Sequence, residues 1–246
     1  TGYSLGAGAA AFISEIDRTE KVYNFTKILL VNPPLDLLYS ISTLDQLLYV
    51  AAQWTPATID YVKSLIYSYG ADLLARNYQD PSYYIGFEKT PFGNTSYDMF
   101  LIGAAFRSTL GDDIFTIEQI NDTGLLKVPA VKGRQSDRED EAHAISFAEY
   151  AQKVVVPRLA EAHGLTPNIS AIFNTASTNG LKAKLAANPK VFIFHNADDI
   201  LVKPQDIQAF EAAMGGRMTV FPRGGHLGNV WYSDNIKMFK ELFRRN

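Results

Sequence analysis

Gly2-Tyr3-Ser4-Leu5-Gly6 opens the chain with a serine between two glycines, in the pattern G-x-S-x-G. This pattern is typical of a sharp turn from a strand into a helix, where the serine hydroxyl is exposed as a nucleophile. We expect glycine at both outer positions because a Cβ there would collide with the neighbouring strand or helix. The small residues at 7–11 would let the helix start close to a sheet. The same short pattern also occurs in ordinary loops, so the rest of the chain has to supply the structural context.

Three short apolar runs predict the strands of a parallel sheet. They span residues 27–32, 190–195 and 217–221. A run without polar alternation indicates a strand that is buried on both faces, and Pro33-Pro34 would end the first one. Helical spacing predicts helices over 204–214, closed by Gly215-Gly216, and over about 233–243. This alternation predicts an α/β fold with a mainly parallel sheet.

The segment between the first two strands predicts helices and little strand. Helical spacing or capping residues indicate helices at 44–54, from Thr55-Pro56 onward, at 97–110, at 112–120 and at 139–163, with a kink at Pro157 and an end at Gly164. We therefore expect residues 1–35 and 190–246 to form a sheet core, and residues 36–189 to form a helical cap subdomain.

The composition argues against several classes of function. The 246 residues carry a net charge of −3, which provides no basic field for nucleic acid. The chain has no cysteine, so disulfides, thiolate metal sites and a cysteine nucleophile are excluded. Its four histidines show no metal-ligand spacing, so we expect no metal and no cofactor. No apolar run approaches the roughly 20 residues that span a bilayer, and the compartment stays open.

Two further stretches place polar residues directly after predicted strands. Asp198-Asp199 follows the strand at 190–195, and Gly224-Gly225-His226 follows the strand at 217–221. The carboxyl ends of parallel strands meet at one edge of a sheet, where catalytic groups collect. A serine, an acid and a histidine in this order match a nucleophile, an orienting carboxylate and a base.

On these three motifs the chain resembles the α/β-hydrolase superfamily, beginning at the nucleophile elbow. The resemblance covers residues 1–35 and 190–246, and a large helical cap in the position of 36–189 is common in that family. It implies Ser4 as nucleophile and His226 as base. The family pattern Asp-Asp-x-x-Val implies Asp199 as the acid, with Asp198 as an alternative and Asp36 as a minor one. The backbone N–H of Leu5 is implied as an oxyanion-hole donor.

The resemblance implies an esterase- or lipase-like serine hydrolase that cleaves a carboxylic ester or related acyl compound through an acyl-enzyme. The tyrosine-rich cap favours a small-molecule substrate with an acyl or aromatic group. An acyltransferase with the same triad, and a non-catalytic binding protein that keeps the fold, are alternatives. A nucleophilic Thr1 with its own amine as base is a further alternative, although the elbow pattern explains the region better.

The family also has several strands before the elbow, and its second oxyanion donor comes from an upstream loop. Only Thr1 precedes the motif in this chain. A sheet of three strands that lacked the serine's own strand would leave a long unpaired edge. We therefore expect a missing N-terminal part of the same protein as a partner, either in the same polypeptide or as a separate chain.

Overall fold

A single parallel sheet organises the chain. The computed structural model describes residues 1–61, 64, 95–131, 133–230 and 232–244. Within these ranges the sheet has the order β1-β2-β3-β4, with all neighbours parallel, and its strands are β1 Gly2–Tyr3, β2 Ile28–Val31, β3 Val191–Asn196 and β4 Met218–Phe221. The α/β class predicted from the alternation of strands and helices is confirmed.

The strand that leads into Ser4 is present. The apolar runs correctly predicted β2, β3 and β4. The sequence also predicted that the strand leading into Ser4 would be absent from the sheet, and that prediction is wrong, because β1 is this strand. Gly2 and Tyr3 pair with Leu30 and Val31 of β2. The Ser4 N–H extends this ladder by donating to the Val31 carbonyl at 2.9 Å. Two residues are therefore enough to fix the chain beside β2.

Helices connect the strands. The α-helices with both ends in the described ranges are, in chain order, α1 Leu5–Glu20, α2 Leu37–Leu47, α3 Thr95–Asn121, α4 Gln135–Ala144, α5 Phe147–Tyr150, α6 Val156–His163, α7 Ile169–Ala176, α8 Lys182–Ala187, α9 Pro204–Met214 and α10 Ser233–Phe243. The helices predicted at 204–214 and 233–243 are confirmed as α9 and α10. Across the described ranges, none of the helices has both the length and the apolar character that a bilayer span requires.

The two central strands are buried on both faces, which explains their uninterrupted apolar sequence. On one face, β2 and β3 contribute to a core cluster with α1, α8 and α9, whose members include Ile28, Leu30, Val191, Ile193, Ala7, Ala11, Leu185, Ile207 and Phe210. On the other face, Leu29, Val31 and Phe194 pack against side chains of α10. The fully buried Ala7 and Ala11 bring α1 close to the sheet, as the small residues after Ser4 predicted.

The chain divides into two compact units. One consists of Thr1–Thr43 and Ala151–Asn246 and contains the whole sheet, and the other consists of Leu44–Tyr150. The sequence had assigned all of 36–189 to the cap, whereas 36–43 and 151–189 group with the sheet. A physical reason lies in Leu181 and Leu185, which are buried in the same core cluster as Ala7 and Ile193.

Two helices predicted at 97–110 and 112–120 are a single helix, α3. It continues through Gly111, where the sequence suggested a boundary. Gly111 instead permits a close helix contact, because a Cβ there would lie 1.8 Å from Cδ2 of His143 on α4. A glycine inside a helical pattern therefore marks packing here, and it does not mark a helix end.

The helix predicted over 139–163 is interrupted at Ile145–Ser146, after α4. From Phe147 to His163 the chain is helical without a break, as α5, a π-helical turn at Ala151–Val155 and α6. Pro157 comes directly after the π-helical turn and lies inside this run, because Val155 before it is itself helical with φ −65° and ψ −51°. Gly164 ends α6 with a φ of 62°, as predicted.

The helix predicted after Thr55 is described only in part. Thr55 Oγ1 accepts a hydrogen bond from the Thr58 N–H at 3.3 Å, as expected of an N-cap, and residues 56–61 are helical. Most of the predicted continuation lies outside the described residues, as do five tyrosines of the tyrosine-rich segment: Tyr67, Tyr69, Tyr78, Tyr83 and Tyr84.

The turn that follows α1 is held by the carboxylate of Asp17. Its Oδ1 accepts the backbone N–H groups of Tyr23 and Asn24, both at 2.7 Å, and its Oδ2 accepts that of Phe25 at 2.9 Å. Burial alone would raise the pKa of Asp17, but the three donors outweigh it and hold the pKa below its ordinary value. The pKa of Asp17 is therefore lower in the folded protein than in the unfolded chain. Its carboxylate stabilises the fold fully at pH values above the pKa of the unfolded state. This stabilisation is lost as the pH falls through the pKa of the folded state.

Asp17→Asn is therefore expected to lower the free energy of unfolding at neutral pH and to flatten its decline below about pH 4. Urea unfolding at several pH values between 3 and 7 measures both effects. The matched control is Asp234→Asn on α10, where the aspartate is exposed and contacts Lys237. Equal pH dependence in wild type and Asp17→Asn would contradict the prediction.

Candidate functional site

Ser4 occupies a strained turn between β1 and α1. Its φ of 50° and ψ of −123° lie outside the regions that ordinary residues favour. The backbone holds this geometry, because the Ser4 N–H donates to Val31 and the Ser4 carbonyl accepts from Ala7 and Gly8 at 2.9 and 3.1 Å. The serine thus sits at the carboxyl end of β1, as the elbow pattern predicts.

The two glycines of the motif play different parts. A Cβ at Gly2 would lie 2.3 Å from the Gly6 carbonyl oxygen and 2.7 Å from the Ala7 Cα, so glycine is needed there, as expected. A Cβ at Gly6 would meet nothing within 4 Å. The prediction that a Cβ at Gly6 would collide with a neighbouring strand or helix is therefore wrong, because the space that this Cβ would occupy is empty.

A chain of short hydrogen bonds joins Ser4, His226 and Asp199. Ser4 Oγ lies 2.7 Å from His226 Nε2, and His226 Nδ1 lies 2.9 Å from Asp199 Oδ2. Because an ionised carboxylate only accepts, Nδ1 carries the imidazole proton and Nε2 accepts the Ser4 hydroxyl hydrogen. The structure therefore brings together the three side chains that the sequence singled out, with His226 between Ser4 and Asp199.

Asp199 is a buried, ionised acid. Its side chain is fully buried, whereas that of His226 keeps 23% of its surface exposed. Burial raises the pKa of Asp199, but the hydrogen bond and charge of His226 and the Leu201 N–H outweigh it, and the net pKa is lowered. The carboxylate is therefore charged at neutral pH, as a group that orients an imidazole and stabilises its cation must be.

The other two candidate acids have different partners. Asp198 accepts the backbone N–H groups of Gly224 and Gly225 at 3.2 and 2.7 Å, so it shapes the loop that carries His226. Asp36 forms an ion pair with Lys203 at 2.6 Å. Asp199, and neither alternative, is hydrogen-bonded to His226.

Buried amides fix the histidine loop against the end of β3. Asn196 Nδ2 donates to Asn229 Oδ1 at 2.9 Å, and Asn229 Nδ2 donates back to Asn196 Oδ1 at 2.8 Å. Asn196 Nδ2 also donates to the Gly225 carbonyl at 2.8 Å. A Cβ at Gly224 would lie 2.4 Å from the Asn229 Cγ, so the loop needs glycine there to reach this pair. Sequence reasoning missed these asparagines, because single polar residues near strand ends carry no periodic signal.

The backbone N–H of Leu5 lies at the start of α1. The first N–H groups of a helix lack an acceptor within the helix, and the helix dipole favours negative charge beside them. The Ser4 carbonyl accepts from Ala7 and Gly8, which leaves the Leu5 and Gly6 N–H groups at the open end. An anion next to Ser4 would therefore meet a favourable helix terminus.

His195 contributes to the interior behind this site. It is fully buried, and its Nδ1 accepts the Asn196 N–H at 2.9 Å. Burial lowers the pKa of His195 despite the nearby charge of Asp199, so the ring is neutral at pH 7. The sequence analysis did not assign this histidine to the site.

A second group of titratable side chains lies in the helical unit. Ligand atoms of Asp112, Glu139 and His143 all lie within 4.8 Å of one another, and His143 Nε2 is hydrogen-bonded to Asp112 at 3.0 Å. The sequence analysis missed this group because Asp112 comes from α3 and the other two from α4. The hydrogen bond accounts for the proximity, and we assign no ion to it.

A pocket of about 410 Å³ lies near the end of β2. Its lining mixes polar and apolar side chains: Asp36, Leu38, Ser170, Ala171, Asn174 and Asn179. Neither Ser4 nor His226 belongs to this lining, so the pocket is separate from the Ser4 site.

The comparisons with known proteins add no relative. Models of protein families, curated protein sequences and solved structures were compared with the chain, and none of them matches it.

Proposed function

We propose that this protein is a serine hydrolase of the α/β-hydrolase type, which cleaves a carboxylic ester or related acyl compound. The observation that carries the proposal is the unbroken contact chain from Ser4 Oγ through the His226 ring to Asp199, at 2.7 and 2.9 Å. It begins at a strained serine between a strand and a helix. Strain and hydrogen-bonded triads of this kind are concentrated at catalytic sites.

In the first step, Ser4 Oγ attacks the substrate carbonyl carbon while its proton moves to His226 Nε2. The imidazolium that forms is stabilised by Asp199, which keeps the Nδ1 proton on the ring. Collapse of the tetrahedral intermediate breaks the bond to the leaving group, which takes the proton from His226. Water then repeats the sequence on the acyl-serine and releases the acid.

The Leu5 N–H is the proposed donor for the oxyanion of the tetrahedral intermediate. It belongs to the residue that follows the nucleophile and opens α1. Loss of one oxyanion donor in serine hydrolases costs about 100- to 1,000-fold in kcat. Because the Leu5 donor is a backbone group, it survives any side-chain substitution that keeps the turn.

The chain order supports the fold assignment. The nucleophile follows β1, the acid follows β3 and the histidine follows β4, with the helical unit inserted between β2 and β3. An α/β-hydrolase has this order of triad residues. In the proposal, the helical unit Leu44–Tyr150 serves as the cap.

Labelling with a fluorophosphonate tests the proposal, because only an activated serine reacts rapidly with this reagent. The full-length protein is treated with the probe, digested and examined by mass spectrometry, and the adduct is expected on Ser4. Ser4→Ala is expected to lose the label. Ser14→Ala is the matched control, because it removes another hydroxyl of the same segment, one that donates to the Ala11 carbonyl at 2.7 Å.

Two outcomes would overturn or redirect the proposal. Equal labelling of wild type and Ser4→Ala contradicts Ser4 as the nucleophile, because the probe then reacts at another residue. No labelling of either protein contradicts a serine hydrolase and favours a non-catalytic binding protein. A labelled Ser4 with acyl transfer to an added alcohol, measured by product analysis in place of acid release, identifies an acyltransferase that uses the same triad.

A further inference from the structure

Asn32 contacts the acid of the proposed triad. It follows β2 directly, its N–H donates to the Phe194 carbonyl at 2.8 Å, and only 2% of its surface is exposed. Its Nδ2 donates to Asp199 Oδ2 at 3.0 Å. The same carboxylate oxygen accepts from His226 Nδ1 at 2.9 Å.

We propose that Asn32 is a positioning residue that holds the Asp199 carboxylate in the plane and rotamer that face His226. The inference rests on the proposed function, because it assigns Asn32 a part in the same reaction. Asp199 Oδ1 accepts the Leu201 N–H at 3.0 Å, so each carboxylate oxygen has a donor other than the histidine. Two donors on different oxygens fix rotation about the Cβ–Cγ bond, and the carboxylate stays in place while His226 gains and loses its proton.

The orientation of the Asn32 amide follows from its neighbours. A carboxylate only accepts hydrogen bonds, so the NH₂ group and not the carbonyl oxygen must face Asp199. The carbonyl oxygen then faces Asn196 Nδ2, at 3.5 Å. Asn196 is held by its reciprocal pair with Asn229, so the amides link the acid to the loop that carries the base.

A simpler explanation is that asparagine is present only for the backbone turn. Asn32 has a φ of 46°, and asparagine accepts such values more readily than most residues. Glycine and aspartate also accept this conformation, but neither offers a side-chain N–H. Asn32→Gly therefore keeps the turn and removes the donor, whereas Asn32→Asp keeps the turn and offers a donor only while its carboxyl group is protonated. The two variants together separate the explanations.

The labelling rate of Ser4 by a fluorophosphonate is the first readout. Asn32→Gly is expected to slow it about 10- to 100-fold, the loss that follows when a charged group forfeits one hydrogen bond. Asn32→Asp places a second carboxyl group against Asp199, so the pair retains a proton to higher pH. In the plot of labelling rate against pH, the acidic limb is therefore expected to move to higher pH. The titratable groups that face Asp199 in the described structure are His226 and His195.

Asn24→Gly is the matched control. Asn24 also has a positive φ, 55°, and its amide donates to the Lys21 carbonyl in an exposed turn. It therefore undergoes the same chemical change away from the site, and its labelling rate and pH profile are expected to equal those of wild type. Circular dichroism and thermal unfolding establish that each variant is folded at the assay temperature.

The second readout does not depend on turnover. Proton NMR detects the His226 Nδ1 hydrogen in its bond to Asp199 as a strongly downfield signal, which Asn32→Gly is expected to shift or broaden. Unchanged labelling, pH profile and NMR signal in both Asn32 variants would overturn the positioning role while the serine hydrolase stands. If Ser4 of the wild-type protein does not react with the probe, the proposed function is overturned. The NMR signal of the His226 Nδ1 hydrogen still tests the positioning role in that case, and an unchanged signal in Asn32→Gly would overturn it.

Discussion

Asp199→Asn is expected to lower kcat/KM for p-nitrophenyl acetate by about 10⁴-fold, a loss typical of serine hydrolases whose triad aspartate becomes asparagine. The amide has nearly the same shape as the carboxylate, so the buried site keeps its packing. It cannot stabilise an imidazolium, and its NH₂ group favours the imidazole tautomer in which Nε2 carries the proton. Nε2 then no longer accepts the hydroxyl hydrogen of Ser4, which it faces at 2.7 Å.

Asp198→Asn is the matched control, one residue away. Asp198 accepts the Gly224 and Gly225 N–H groups from an exposed position, and the asparagine carbonyl oxygen can still accept one of them. We expect a loss of less than about tenfold, the size of one weakened hydrogen bond. A larger loss in Asp198→Asn than in Asp199→Asn would make Asp198 the acid and contradict the assignment.

Gly2→Ala is expected to destabilise the fold by about 3 kcal/mol or more, at the upper end of what overpacked sites cost. The new Cβ would lie 2.3 Å from the Gly6 carbonyl oxygen and 2.7 Å from the Ala7 Cα, and both are backbone atoms of α1. Neither can move without shifting the first turn of the helix away from β1. Urea unfolding measures the loss, and Ser4 labelling is expected to fall with it because the same turn carries the serine.

Gly6→Ala tests the same motif without the collision. Its Cβ would meet nothing within 4 Å, and position 6 lies in the first turn of α1. Alanine is favoured over glycine by about 0.5–1 kcal/mol inside helices, so stability is expected to stay level or rise. Equal destabilisation by Gly2→Ala and Gly6→Ala would show that the glycines serve backbone conformation and not the close contact at Gly2.

The features predicted correctly from the sequence have local signals. Uninterrupted apolar runs located β2, β3 and β4 because both faces of those strands are buried. Polar residues directly after β3 and β4 located Asp199 and His226, because parallel strands end at one edge. The structure brings these residues to Ser4, and their catalytic roles remain a proposal.

The features that the sequence did not predict depend on contacts between distant residues. Gly111 is indistinguishable from a helix boundary until His143 is known to pack against it. The break at Ile145–Ser146 and the π-helical turn before Pro157 leave no signal in the helical spacing that predicted one helix over 139–163. Asn32 reads only as a turn residue before two prolines until its amide is seen beside Asp199.

The position of the helical unit between β2 and β3 has a consequence for how the protein folds. Asn32 and Asp199, which join the ends of these strands, are 167 residues apart in the chain. Closing such a loop costs about 2 kcal/mol more in chain entropy than closing a 20-residue crossover, so the insertion takes little from equilibrium stability. Its larger effect is on rate, because long-range parallel pairing makes folding slow. Early folding of Leu44–Tyr150 would shorten the effective loop, and the speed at which the Ser4 site assembles would then depend on residues that contribute no side chain to the triad.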